Sequence, residues 1–465
     1  MRRLIALSLV TLLASGCTVG PNYKRLSASV PNTYRGAMPE EAPQPAAESL
    51  GDQKWWEVFQ DKQLQELIHT ALQQNYDVRI AATRILAARA QVGIARADQL
   101  PTISGGAQTV DQRSPRTKSF PQFETSAHQV DLSLAWELDF WGKYRRASES
   151  ARANLLATEW ARNAVITTLV SDVAAAYFQL RELDLELEIA RRTLASRQDS
   201  LRLTQMLANG GATSMLDVRQ AEQLVFTAAE TIPDLERRTE QQENFISALL
   251  GNNPGSIARG TKLTEQPHMP EVPAGLPSRL LERRPDIRQA EEQLIAANAQ
   301  IGVAKADYFP QINLTASSGF QSSALTGLFT GPAGLWNFGG SLAQPIFNGG
   351  RIRSNVKFTE ARQQEAELVY QQTIQQAFRG VSDALVEYRK DREFREQQEQ
   401  LTFSAQDAAR LSETRYRGGA ASYLEVLTNE TNYFNAELGL AQAQLNELVA
   451  LVRIYRNLGG GWQEQ

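Results

Sequence analysis

Cysteine occurs once in 465 residues and histidine three times. A single thiol excludes a disulfide within the chain, and His69, His128 and His268 lie too far apart for a metal-ligand spacing. No GxSxG, phosphate-binding glycine loop or HExxH occurs, and no cysteine is left for catalysis. The signatures of an enzyme, a metal centre and a cofactor are therefore missing. Long apolar runs are missing too. No stretch reaches about 18 consecutive apolar residues, so no membrane-spanning helix is expected in the mature chain. A Gram-negative outer membrane is crossed by β-barrels instead. An excess of one charge is also lacking. The formal charge is −4 and no charged tail occurs, which gives no reason to expect nucleic acid as a partner. A mean hydropathy of −0.37 fits a water-exposed protein.

What is present is the same sequence twice. Residues 77–103 read DVRIAATRILAARAQVGIARADQLPTI and residues 286–312 read DIRQAEEQLIAANAQIGVAKADYFPQI, identical at 13 of 27 positions. Farther on, at an offset of 208, Gly210-Gly211-Ala212-x-Ser214-x-Leu216-Asp217-Val218 becomes Gly418-Gly419-Ala420-x-Ser422-x-Leu424-Glu425-Val426. A period this long is one large unit duplicated rather than a solenoid. Enzymes rarely need two copies of everything, whereas walls, rings and tubes do.

The N-terminus has the layout of a secretory leader. Arg2-Arg3 precede an apolar run from Leu4 to Ala14, then Ser15-Gly16-Cys17. This predicts a signal peptide over 1–16 and a lipobox, with Cys17 acylated as the mature N-terminus. Thr18 in place of aspartate favours delivery to the outer membrane. Each buried methylene of an acyl chain contributes about 0.8 kcal/mol, so several chains anchor firmly.

Neither glycine nor proline occurs between Gly142 and Gly210, and residues 145–208 are rich in helix formers. Ile166, Leu169, Val173, Ala176, Leu180, Leu183, Leu187, Ala190 and Leu194 follow 3-4-3-4 spacing, a heptad seam. A helix of that length extends roughly 96 Å. The second half repeats it from Arg351 to Arg417, interrupted only by Gly380. Return helices are expected over 216–250 and 424–457, and further helices over 64–98 and 281–307. The β signal lies between helices. Val130, Leu132, Leu134, Trp136, Leu138 and Phe140 alternate with mostly polar residues, and strands are expected over 126–140 and 335–347. Each half offers two strands long enough to cross a bilayer when tilted. Phe140-Trp141, Tyr308-Phe309 and Phe347 sit where strand meets helix and suit an interfacial aromatic belt. Four strands cannot close a membrane barrel, so several copies must share one. Two copies would supply eight strands and three would supply twelve.

Glycine at Gly210, Gly211, Gly418 and Gly419 is what a helical hairpin needs to turn. The recurrence of Asp217 and Glu425 beside Leu216 and Leu424 needs another reason. At the narrow end of a multimeric tube these residues would form carboxylate and leucine rings, favouring cations and resisting wetting.

Taken together, Cys17-Thr-Val-Gly-Pro-Asn-Tyr23, Trp136-Glu-Leu-Asp-Phe-Trp-Gly142, the stretch from Val272 to Ile287, Tyr416-Arg-Gly-Gly and Gly459-Gly-Gly-Trp462 carry a resemblance across essentially the whole mature chain. The sequence resembles the TolC-like outer-membrane efflux channels, in the lipid-anchored OprM/NodT branch. The resemblance implies an α+β membrane protein and a homotrimer, in which a 12-stranded β-barrel continues into a long periplasmic α-helical coiled-coil barrel closed at its far end. It implies repeat 1 over 64–251 and repeat 2 over 276–459. The N-terminal segment 17–63, the linker 252–275 and the tail 460–465 would then build an equatorial belt. A periplasmic adaptor, an inner-membrane pump, most often of the proton-driven resistance-nodulation-division type, and outer-membrane lipid are the implied partners. The implied role is a passive exit duct for drugs or other small molecules. A type I protein-secretion duct and a lipid-anchored periplasmic coiled-coil adaptor or scaffold are the alternatives.

By position, Tyr416 and Asp217 look like a linking pair of the closed state, and Leu424 and Glu425 like constriction residues. Gly210, Gly211, Ser214, Gly418, Gly419 and Ser422 would let adaptor hairpins pack closely. A gating arginine of some members is Ala421 here, and an aspartate one turn past the first carboxylate is Thr428. Lumen charge should therefore be sparse and concentrated at Glu425. Divalent cations are expected to block conductance more weakly than in members with two acidic rings; tight block in a titration would contradict this.

Overall fold

A computed structural model describes residues 18–27, 30–31, 33–35, 49–116, 121–267, 272, 275 and 277–463. Its described elements are α1 (Trp55–Val58), α2 (Lys62–Gln74), α3 (Tyr76–Ala97), β1 (Thr102–Arg113), β2 (Glu124–Glu137), α4 (Lys143–Asn209), α5 (Met215–Leu249), α6 (Pro277–Arg283), α7 (Pro285–Ala306), β3 (Gln311–Ser322), β4 (Gly334–Ala343), α8 (Arg351–Arg417) and α9 (Tyr423–Asn457), with short 3₁₀ turns between them. The order helix–strand–strand–long helix–return helix occurs twice, as the duplicated sequence requires. The chain forms two compact units, one built on the sheet (Arg84–Glu159, Gln289–Gln371 and the stretch before Ala28), the other helical (Ala28–Thr83, Trp160–Arg288, Gln372–Gln465).

In the sheet unit the strands pair antiparallel in the order β1-β2-β3-β4. Directly opposed residues share a face. The register sets Val130 against Ala107 and Phe320, Leu132 against Gly105 and Ser318, and Leu134 against Ile103 and Ala316. It continues with Trp336 opposite Ser318, Phe338 opposite Ala316, and Leu342 opposite Ile312. One face is thus apolar and rich in aromatics. The other carries Ser104, Gln108, Asp131, Ser133, Glu137, Asn313, Thr315, Ser317, Asn337 and Ser341. Trp336 is 81% exposed within the protomer, so among the described residues nothing covers the apolar face there. Gly319 is required by a close approach: a Cβ there would lie 2.1 Å from the Val130 carbonyl oxygen.

Strand ends differ from the sequence expectation. β2 stops at Glu137 rather than continuing to residue 140, because the Asp139 carboxylate accepts from the Tyr144 and Arg145 backbone N–H groups and caps α4. β4 stops at Ala343 rather than 347, opposite the start of β3, where Pro310 has no N–H to continue the ladder. The expected aromatic belt is only partly outward. Trp141 stacks on Phe309 at 4.6 Å and donates from Nε1 to the Pro310 carbonyl, which is packing, whereas Phe347 is exposed. The N-terminal segment lies across this junction. Val19 N donates to Trp141 O, Arg146 binds the Val19 and Gly20 carbonyls and Asn22 Oδ1, and Asn298 donates to Pro21 O.

The helical unit is built on the heptad seam. Ile166, Leu169, Val173, Ala176, Leu180, Leu183 and Ala190 are buried, with Leu187 and Leu194 half-buried. The expected helices 64–98 and 281–307 are each broken in two. Asn75 ends α2 and its Oδ1 accepts from Asp77 N and Val78 N, starting α3; Arg284 precedes Pro285, which disfavours helical backbone before it. Gly380 does not interrupt α8, and its bare Cα leaves room for the Asn457 amide.

Asp61 ties this unit together. It is 4% exposed, and its carboxylate accepts from Gln63 N and Leu64 N at the start of α2, Tyr177 Oη on α4, and Thr261 N and Gln266 Nε2 of the linker. Asp61→Asn turns an amide N–H₂ toward at least some of these donors and is expected to cost about 2–4 kcal/mol. Thermal unfolding of the detergent-solubilised protein would register the loss; an unchanged midpoint would contradict the assignment.

Glu182 is the opposite case. It is buried on α4 with Oε1 unpaired, one turn from Glu186, which Arg238 approaches at 3.3 Å. Burial first, then the Glu186 charge, raises the Glu182 carboxyl above the usual carboxylate range. The folded state therefore binds this proton more tightly than the unfolded chain, and its stabilising effect is lost as pH rises above about 4.3. Glu182→Gln should raise the unfolding temperature more at alkaline than at mildly acidic pH; an equal gain at both would refute this.

Candidate functional site: the hairpin tips

The two helical turns are backbone copies of one another. In the first, Gly210 N, Gly211 N and Ala212 N donate to the Met206, Ala208 and Leu207 carbonyls; in the second, Gly418 N, Gly419 N and Ala420 N donate to Thr414, Tyr416 and Arg415. Gly211 and Gly419 have φ of 74° and 72°, which only glycine adopts freely. These are helix ends closed by a left-handed residue.

Side chains then diverge. Ser214 caps α5 by accepting from Asp217 N, and Asp217 Oδ2 accepts from Ser214 N and Oγ and from the Thr213 hydroxyl. The Thr213 hydroxyl, chiefly, holds the Asp217 carboxyl below its ordinary range. Ser422, its counterpart, makes no side-chain cap. Glu425 instead accepts from Arg415 Nη1 at 2.7 Å, and Arg415 Nη2 reaches the Ala420 carbonyl at 3.3 Å.

Within one protomer Asp217 and Tyr416 are not hydrogen-bonded to each other. The Tyr416 ring packs against Tyr423 at 5.3 Å, among Ala221, Val426, Leu201 and Leu427, and its hydroxyl is buried without a partner. This cluster joins the end of the first hairpin to the start of α9. Leu216 and Leu424 are both more than half exposed. Thr428 turns its hydroxyl back to the Leu424 carbonyl. Arg417 pairs with Glu413 and Arg219 with Glu222, so neither reaches Glu425. Cys17 lies outside the described residues. Among the described residues no group of three His, Cys, Asp or Glu side chains is placed to hold a metal.

Sequence reasoning missed three participants. Arg415 and Thr213 are ordinary polar residues until the turn brings them back toward the start of the return helix. Arg197, farther from the tip, is buried: Nη1 donates to the Leu224 carbonyl and the guanidinium lies 5.1 Å from the Phe434 ring. Glu430, half-buried, has its carboxyl raised by desolvation, with Arg197 opposing. A charged residue inside a heptad seam was the available signal.

The model of the family "Outer membrane efflux protein" matches residues 67–252 and 276–460, the two repeats. Along 100% of this chain and 96% of its own length, the probable efflux pump outer membrane protein TtgC of Pseudomonas putida is 36% identical. Outer membrane protein OprJ of Pseudomonas aeruginosa is 35% identical, covering 98% of this chain and 95% of its own length. The open state of the Neisseria gonorrhoeae MtrE outer membrane channel superposes with a TM-score of 0.87 at 31% identity, covering 96% of this chain and 99% of that one. The chain belongs to the outer membrane efflux protein family.

Proposed function

We propose that three copies assemble into one outer-membrane duct, whose helical tips form a gate in the periplasm and which passes small molecules delivered by an inner-membrane pump through a periplasmic adaptor. The observation that carries this is the four-stranded sheet with one apolar face, one polar face and two unpaired edges. Three such sheets give twelve strands, apolar toward lipid and polar toward a water-filled lumen. A scaffold has no reason to keep one sheet face greasy.

Lipidation at Cys17 fits the same picture. Thr18, the next residue, sits against Gly142 at the strand–helix junction: a Cβ on that glycine would be 2.6 Å from Thr18 Cγ2. Acyl chains there would enter the membrane near where the strands do. At the tips Leu424 and Glu425 would form constriction rings. Asp217 and Tyr416 would take part in closure through contacts between copies, the Tyr416 hydroxyl, buried and unpartnered within the protomer, reaching one only if its cluster with Tyr423 rearranges. The small residues Gly210, Gly211, Ser214, Gly418, Gly419 and Ser422 would face the adaptor. The chain carries the duct and the pump selects what enters it.

Single-channel conductance in a planar bilayer tests the reading, comparing wild type with Asp217→Ala/Tyr416→Phe. Small openings that grow several-fold in the double variant are expected if the tips hold the channel shut. Conductance unaffected by the substitutions would leave a duct with its gate elsewhere. Folded trimers that never conduct would favour a coiled-coil scaffold.

A further inference from the structure

Arg415 holds the two sides of the second tip together. One guanidinium spans the Gly418-Gly419 turn, bonded to the Ala420 carbonyl on the near side and to Glu425 on the far side. The first tip has no counterpart. The residue 208 positions before Arg415 is Leu207, and Asp217, which corresponds to Glu425, is engaged by Thr213 and Ser214 instead. The neighbouring cations are committed to other carboxylates, Arg417 to Glu413 and Arg219 to Glu222. Among the described residues Glu425 thus has one cationic partner in the protomer, and that partner comes from its own hairpin.

We propose that Arg415 is a charge clip, neutralising Glu425 within its own chain so that the narrow end of the duct presents ion pairs rather than bare carboxylates. This rests on the channel reading above. As a fastener the pair is weak, since both side chains are substantially exposed to solvent. Its effect is electrostatic. A ring of unpaired carboxylates concentrates cations and binds divalent ions, and a guanidinium 2.7 Å from each carboxylate cancels most of that field. The clip also occupies Glu425, which is then not free to bond a cation of a neighbouring copy. The small polar turn of the second tip is therefore a specificity-determining element, and Arg415 sets its charge.

The test uses the full-length protein in planar bilayers, as wild type, Arg415→Gln, Glu425→Gln and the double variant. Arg415→Gln is expected to shift the reversal potential toward cations and to lower the half-blocking Mg²⁺ concentration about tenfold, as an uncovered acidic ring requires. Glu425→Gln in the same chain should abolish both changes. Arg415→Gln indistinguishable from wild type overturns the proposal, as does an effect that persists in the double variant. A second measurement needs no conductance. Arg415→Cys/Glu425→Cys, treated with a short bifunctional thiol reagent, should give a product that runs at the mass of one chain on a denaturing gel and that intact-mass spectrometry shows to carry one linker attached at both ends. Dimer or trimer adducts absent from the single-cysteine controls, or no product, would overturn it. Failure of every variant to conduct would remove the channel reading, and the crosslink would still decide whether the pair lies within one chain.

Discussion

An open sheet cannot stand in lipid. β1 and β4 each present an unpaired edge, and every backbone N–H or C=O left bare in hydrocarbon costs several kcal/mol. The apolar face carrying Trp336, Phe338, Leu132 and Leu342 is equally out of place in water. Both problems have one solution, in which β1 of one copy pairs with β4 of the next until the ring closes. The rest of the protein follows from that closure. Each repeat supplies two of the strands and one helix of 67 residues. The duplication is how one gene supplies enough wall.

Duplication fixes backbone more strictly than chemistry. The two tips repeat each other's hydrogen bonds from Gly210 and Gly418 onward, yet Asp217 caps its own helix while Glu425 reaches back to Arg415. Glycine at equivalent places also serves different ends. Gly302 lies under the N-terminal segment, where a Cβ would meet the Val19 carbonyl at 2.7 Å, while a Cβ on Gly93, its counterpart 209 positions earlier, would meet nothing in the protomer. Only one N-terminus exists for two equivalent grooves. An internal repeat thus becomes a molecule with distinct sides, one tied to the N-terminal segment around Val19 and one left for other contacts.

The elements themselves were legible because their patterns are long. A heptad seam sustained from Ile166 to Ala190 and a 67-residue span free of proline leave little besides a helix, and Arg351–Arg417 is where the repeat put it. Interruptions were less legible. Asn75 breaks a helix by capping the next one, a choice made by a side-chain oxygen rather than by any change in periodicity. Asp139 ended β2 early for the same reason. At the tip, sequence identified Asp217 and Glu425 as equivalent, but not that one accepts from hydroxyls and the other from a guanidinium. Those bonds depend on where the turn returns Thr213 and Arg415, which spacing alone does not state.

Energies within the hairpins are graded, and the grading bears on movement. Beyond Arg197 the polar ties are exposed ion pairs such as Arg415–Glu425 and Arg219–Glu222, each worth about 0–1 kcal/mol. Arg197 itself is buried, bonded to the Leu224 carbonyl and set against Phe434 beside Glu430, so pulling it out strands a desolvated charge at a cost of about 3–5 kcal/mol. It links α4 to both α5 and α9, which joins the two repeats inside one protomer. The cheapest rearrangement of the tips therefore leaves Arg197 seated and breaks only the exposed pairs and the Tyr416–Tyr423 cluster beyond it. In the duct proposed above, sealed along its length and opened at one end, this distribution puts the costly contacts in the wall and the inexpensive ones at the mouth.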